Sequence, residues 1–192
     1  MSDYNLPARV LNALTTNIAA RKDVRYYLNG LHFYNDGAGQ SYVEATDGHT
    51  LFRYLIDLPD GVNIIAKVPK LPVAAWCALD YLIGAGDDSY ARVITDAGAT
   101  FPLEIIDGRY PDTDRVFGAL PDNDSAGVMD GHRVAEVVKV ANEIAKSEKR
   151  RYAPLRFDPM TSGAVQVYPV QIDASTPELP FQALVMGMKV QS

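Results

Sequence analysis

Three times along this chain an amphipathic stretch with helical spacing sits among extended segments, and that recurrence limits the fold more than any single motif does. The first helix opens after Tyr4-Asn5-Leu6-Pro7 and runs to about Ala20, with Val10, Leu14 and Ile18 on one side. Extended stretches follow at Tyr26–Tyr34 and Ser41–Leu58, parted by the turn residues Asn35-Asp36-Gly37. The second unit begins with the alternating strand Val62–Val68. Pro72 then stands where a helix tolerates proline, Val73, Trp76, Leu79 and Ile83 form a stripe to about Ile83, and Gly84-Ala85-Gly86 ends it. Strands at Tyr90–Thr95 and Thr100–Ile106 complete the unit. Past the polar linker Pro121-Asp122-Asn123-Asp124-Ser125, a helix over about His132–Lys146 places Val134, Val137, Val138, Ala141, Ile144 and Ala145 opposite Glu136, Lys139, Glu143 and Lys146. Strands at Ala153–Phe157, Ala164–Ile172 and Phe181–Val190 close the chain. Repeated strand-helix-strands units predict an α+β protein built by duplication.

Chemistry is scarce in the pattern. There is no Gly-rich phosphate loop, no G-x-S-x-G elbow and no carboxylate pair at telling spacing, so the chain reads as a non-enzyme without a cofactor. His32, His49 and Asp47 lack metal-ligand spacing, which argues for no metal. The lone Cys77 lies beside Trp76 in an apolar stretch and reads as a buried thiol. No apolar run approaches the length a membrane span needs, and the first residues are no signal peptide, so the expected location is cytoplasmic. A net charge of -6 leaves nucleic-acid binding to the distribution of cations rather than their number.

Two stretches go beyond pattern. One is Asp23-Val24-Arg25-Tyr26-Tyr27-Leu28-Asn29-Gly30, followed by Ala45-Thr46-Asp47-Gly48-His49-Thr50-Leu51. The other is Ile106-Asp107-Gly108-Arg109-Tyr110-Pro111-Asp112-Thr113-Asp114-Arg115-Val116. In order and spacing they resemble the second domain of the bacterial DNA sliding clamp, the beta subunit of DNA polymerase III. Ser147-Glu148-Lys149, Leu155-Arg156-Phe157 and the tail Leu184–Val190 resemble parts of its third domain. Thr50 departs from the family's usual arginine and Gly187 from a proline in the tail.

The resemblance implies a DNA-clamp fold, with antiparallel sheets outside and helices on one face. It implies a clamp domain over 1–120 made of two repeat units and a reduced third-domain unit over 125–192. It also implies a partner pocket formed by Leu28, Thr46, Gly48, His49, Leu51, Pro111, Arg115, Val116, Leu184, Met186, Met188 and Val190. Leucines and methionines there would give an adaptable apolar floor for clamp-binding peptides of DNA polymerase or repair proteins. Taken alone, Asp47-Gly48 is an ordinary turn pair, and Met186 and Met188 are ordinary core of a last strand. In clamps the helices face DNA, which would give that role to Arg9, Arg21, Lys22, Arg133, Lys139, Lys146, Lys149 and Arg150; the same basic cluster also suits a solvated helix end. Two functions follow from the resemblance. One is a replication or repair accessory that tethers partners, as a homo-oligomeric ring around double-stranded DNA. The other is a peptide-binding decoy or adaptor that keeps the pocket without encircling DNA.

Overall fold

Pro7 sets the first two elements, because its ring fixes φ near the value a helix entrance requires. The computed structural model describes residues 5–20, 22–83, 89–117, 129–161, 163–171 and 178–187. In it strand β1 (Leu6–Pro7) runs directly into helix α1 (Ala8–Asn17). A single 3₁₀ turn, Tyr26–Asn29, leads to β2 (Leu31–Asn35), β3 (Ser41–Thr46), β4 (Thr50–Ile56) and β5 (Asn63–Lys67). The stretch expected to be extended from Tyr26 therefore becomes strand only at Leu31. Next come β6 (Trp76–Leu82), β7 (Tyr90–Thr95), β8 (Thr100–Pro102) and β9 (Glu104–Ile106), then the short helix α2 (Asp114–Phe117). Helix α3 (Gly131–Ser147) precedes β10 (Leu155–Pro159), β11 (Ala164–Pro169) and β12 (Phe181–Met186). The expected linker 121–125, the glycine stop 84–86 and Ile172 lie outside the described residues.

All pairings are antiparallel. One sheet has the order β1-β6-β7-β8, and the other has eight strands in the order β10-β11-β12-β4-β3-β2-β5-β9. Alternation along the strands divides the larger sheet cleanly. Phe33, Val43, Phe52 and Val185 join one core with Val10 and Leu14 of α1 and with Val137 and Ile144 of α3. The two helices lie side by side on that face, as an apolar stripe on each requires. Asp130 caps α3 by accepting from the His132 backbone N–H at 2.8 Å. Asn12 of α1 clasps Leu71, donating to its carbonyl and accepting from its N–H, both at 2.9 Å. Strands before and after α3 in sequence share this sheet, since β12 pairs with β4.

The helix expected over Val73–Ile83 is not there. Trp76–Leu82 form β6 instead, which pairs Cys77 with Leu6 of β1 and Leu79 with Val93 of β7. The same sequence carries a second period. Cys77 and Leu79 are buried and alternate with partly exposed Ala78 and Asp80, while Trp, Cys and Tyr are poor helix formers. Backbone partners on both sides decide between the two periods. The chain accordingly holds two long helices among its described residues rather than three, and the repeat of strand-helix-strands does not extend to its middle. Thr100–Ile106 also divides: Leu103, buried, lets β8 finish one sheet and β9 begin at the edge of the other.

The opposite face of the large sheet is polar at its centre and is covered by residues 110–117. Glu44, wholly buried, accepts from the Thr113 hydroxyl at 2.9 and 3.0 Å, from Arg53 Nε at 3.3 Å, and contacts His32 Nδ1 at 2.9 Å. Arg53 also donates to Thr113 Oγ1 and pairs with Asp114, each at 2.8 Å, and lies over the Phe117 and Tyr42 rings. Burial works against the guanidinium charge, but Glu44, with Tyr34 and Asp114, holds its pKa above the ordinary value. The His32 ring is stacked between Tyr34 and Tyr110, 4.5 Å from each.

Glu44→Ala leaves a buried arginine without its central partner and should cost about 3–5 kcal/mol in urea unfolding, whereas an exposed surface pair would cost far less. A loss under about 1 kcal/mol would show the network to be incidental. Burial also pushes the Cys77 thiol up to about 11, so at pH 8 it stays protonated and enclosed. Folded protein should resist a disulfide-exchange reagent that labels it fully once unfolded; fast labelling of the native chain would contradict the β6 register.

Candidate functional site

The Asp47 turn joins β3 to β4 and shapes the site beside it. Asp47 Oδ1 accepts from the backbone N–H groups of His49 and Thr50 at 2.9 and 2.8 Å. Thr46 Oγ1 donates to the Thr50 carbonyl at 2.7 Å and accepts from Gly48 N at 3.0 Å. Gly48 has φ +88, a conformation that side chains disfavour. A Cβ there would also lie 2.8 Å from Arg25 Nη1, so a larger residue would have to push the guanidinium aside as well as adopt a strained backbone. Arg25 is itself braced by Asp23, to which it donates from Nε and Nη2; the bonding holds the Asp23 carboxyl down at about 2.

Next to the turn runs β12, whose register sets Leu184 opposite Leu51 and Val185 opposite Thr50. The ladder extends beyond the strands, because Met186 N donates to the His49 carbonyl at 2.8 Å. Alternation puts Leu51 and Leu184 on the face away from α1 and α3, where they cluster with Ala164 and Phe117. Met186 is exposed at the end of this row. The third wall is the 110–117 segment, pinned from beneath by Glu44 and Arg53 through Thr113.

These walls enclose a slot of about 260 Å³. Of the residues expected in a partner pocket, it brings together Leu28, Thr46, Gly48, His49, Leu51, Pro111, Val116, Leu184 and Met186. Arg115 is exposed and is not among the lining, and Met188 and Val190 lie outside the described residues. Arg25, Tyr27, Thr50 and Thr113 line the slot without having been expected there. All four lie within the stretches quoted from the sequence, and the signal that could have found them was adjacency to residues already chosen. A larger hollow of about 460 Å³ lies farther along the same face. Its lining includes Arg53, Asp158, Gln166, Tyr168 and Glu178, a polar surface unlike the slot.

Of the expected DNA-facing residues, Arg9, Lys139 and Lys146 line one hollow of about 410 Å³ between α1 and α3. Arg9 of α1 pairs with Glu143 of α3 at 2.7 Å, and Lys146 pairs with the same glutamate. Arg133 pairs with Asp47 and, at 3.4 Å, with Glu136. Lys22, Lys139 and Lys149 are exposed, Arg150 is half-buried, and Arg21 lies outside the described residues. Among the described residues no group of three or more His, Cys, Asp or Glu is arranged to hold a metal ion. No helix there is long and apolar enough to cross a membrane.

No family model matches the chain. The beta sliding clamp of Proteus mirabilis is 30% identical over 178 residues, which is 86% of this chain and 46% of that protein. The beta sliding clamp of Escherichia coli K12 is 30% identical over 130 residues, 62% of this chain and 35% of that protein. The chain thus spans about a third to a half of the curated relatives it matches. Among solved structures, the DNA polymerase sliding clamp of Pseudomonas aeruginosa superposes with a TM-score of 0.59 at 18% identity, over 97% of this chain and 66% of that one. The chain is similar in sequence to the bacterial beta sliding clamps and has their fold.

Proposed function

We propose that the chain is a clamp-like accessory of DNA replication or repair that holds partner proteins by a short apolar peptide seated in the slot between the Asp47 turn and β12. The observation that carries this reading is the slot itself. Leu51, Leu184, Leu28 and Val116 give it apolar walls, Met186 stands exposed at one end, and the exposed side chains of His49 and Arg25 form a polar rim. Its chemistry is that of apolar anchors entering a formed groove, with an unbranched thioether adjusting to their shape. No bond is made or broken, so the chain acts as a tether rather than an enzyme.

Similarity to the sliding clamps supports a role around double-stranded DNA, in which a homo-oligomer would encircle the duplex and slide. The helix face supports this only weakly. Glu143 binds both Arg9 and Lys146, and Asp47 and Glu136 hold Arg133, so three of its cations are partly neutralised before any phosphate arrives. That internal neutralisation favours the second reading, a peptide-binding adaptor or decoy that does not encircle DNA.

Titration of a labelled clamp-binding peptide from a bacterial DNA polymerase should show saturable binding. Met186→Glu and Val116→Glu, both at exposed positions, should each weaken it by about tenfold or more, since a charge in an apolar groove is desolvated without a partner. Unchanged affinity in both variants would remove the slot from the function. Retention on circular but not linear DNA would select the ring; peptide binding without such retention would select the adaptor.

A further inference from the structure

Arg133 was expected to face DNA, yet its guanidinium reaches 86 positions back along the chain to the Asp47 carboxylate. Nη1 donates to Oδ2, and Glu136 Oε2 lies 3.4 Å from the same nitrogen. The pair is partly sheltered, with side-chain exposures of 27% and 16%, so it is less screened than a surface ion pair. Asp47 is therefore bonded on both oxygens. Oδ1 closes the turn onto His49 and Thr50, and Oδ2 ties the closed turn to the first part of α3.

The location gives this tie its consequence. Gly48, His49 and Thr50 line the apolar slot, while Asp47 lines a separate hollow of about 400 Å³ with Ala20, Glu136 and Lys139. The turn is a thin partition between the two spaces. On the slot side Arg25 closes over Gly48 and donates to the Asp47 carbonyl at 3.3 Å; on the helix side Arg133 holds the carboxylate. Helix α3 is a firm anchor, because Val137, Val140, Ala141 and Ile144 are wholly buried in the main core. His49 in turn holds Met186 through its carbonyl, so any shift of the turn moves the mouth of the slot.

We propose that Arg133 is a positioning residue for the slot. It touches no bound peptide and acts through Asp47, fixing the turn at the spacing from β12 that a peptide needs. The proposal rests on the peptide-slot reading above, and its test separates the two.

The test is a titration of the same labelled polymerase peptide into wild type, Arg133→Ala, Arg133→Lys, Asp47→Asn and the Arg133→Ala/Asp47→Asn double variant, at a temperature where circular dichroism shows all to be folded. Arg133→Ala should weaken binding about tenfold, within the usual range for coupling between linked sites. Arg133→Lys should recover most of the loss. Asp47→Asn, which keeps the Oδ1 acceptor but removes the charge, should weaken binding to a similar degree, and the double variant should be no worse than either single one. Wild-type affinity in Arg133→Ala, or losses that add in the double variant, would overturn the proposal. Amide hydrogen exchange at His49 and Thr50 supplies a readout that needs no peptide: both should exchange faster in Arg133→Ala, and unchanged protection would also overturn it. A peptide that fails to bind wild type defeats the slot reading, while exchange still decides the role of Arg133 at the turn.

Discussion

The structure depends on the pairing of β12 with β4. Without it the large sheet would end at β4, α3 would lack much of the surface it covers, and the Asp47 turn would have no neighbour. The register is specified by burial on both faces. Phe181, Ala183 and Val185 enter the helix-side core, where Phe181 stacks on Phe52 at 5.0 Å, while Leu184 meets Leu51 on the other side. A slip of one residue would reverse every side chain and put Gln182 and Met186 into the core. Such a shift would cost several buried apolar groups at once, each about 1.5–3 kcal/mol. The slot is a by-product of that register: it opens where β4 gives way to the Asp47 turn beside Met186, which pairs on its other side with Ala164 of β11.

Much of this was legible in the sequence, and what failed has a physical cause. Helices α1 and α3 were readable because their apolar stripes have one period only. The turn at Asp47-Gly48 was readable because its chemistry is local, although Ser41–Leu58, expected as one extended stretch, divides there into β3 and β4. The last strand was readable in type from its pattern, while its place beside the Asp47 turn came from the resemblance, since nothing in Phe181–Met186 names β4 across the intervening residues. The segment Val73–Ile83 failed for a different reason. It satisfies helical spacing through Val73, Trp76, Leu79 and Ile83 and strand spacing through Cys77 and Leu79, and the choice lies with β1 and β7. Local pattern is silent where tertiary pairing decides.

The site shows the same division. Its apolar members could be carried over from a resemblance, whereas the charged groups that hold its walls could not. Glu44 and Arg53 are an unremarkable pair of strand residues in sequence. In the fold they are buried opposite each other in β3 and β4 and reach up to Thr113. Arg133 looks like one more cation on a polar helix face until the turn it meets is in position. Around the site, Glu44 with Arg53 and Asp47 with Arg133 act on one another. The net charge of -6 therefore says less about ligands than the places where acid and base are brought together.

A slot of this size sets the kind of binding it can support. It holds a few apolar side chains, each contributing on the order of 1.5–3 kcal/mol when buried, and from that sum the cost of ordering a free peptide must be subtracted. On the proposed reading what remains would be modest affinity, suited to partners that exchange. A single weak slot cannot keep a partner in place for long. Tethering then requires several slots on one assembly, where a second contact is made at a high effective concentration without any new chemistry. The same arithmetic separates the two functional readings: a ring of copies gains retention from multiplicity, whereas a lone adaptor must compete through abundance.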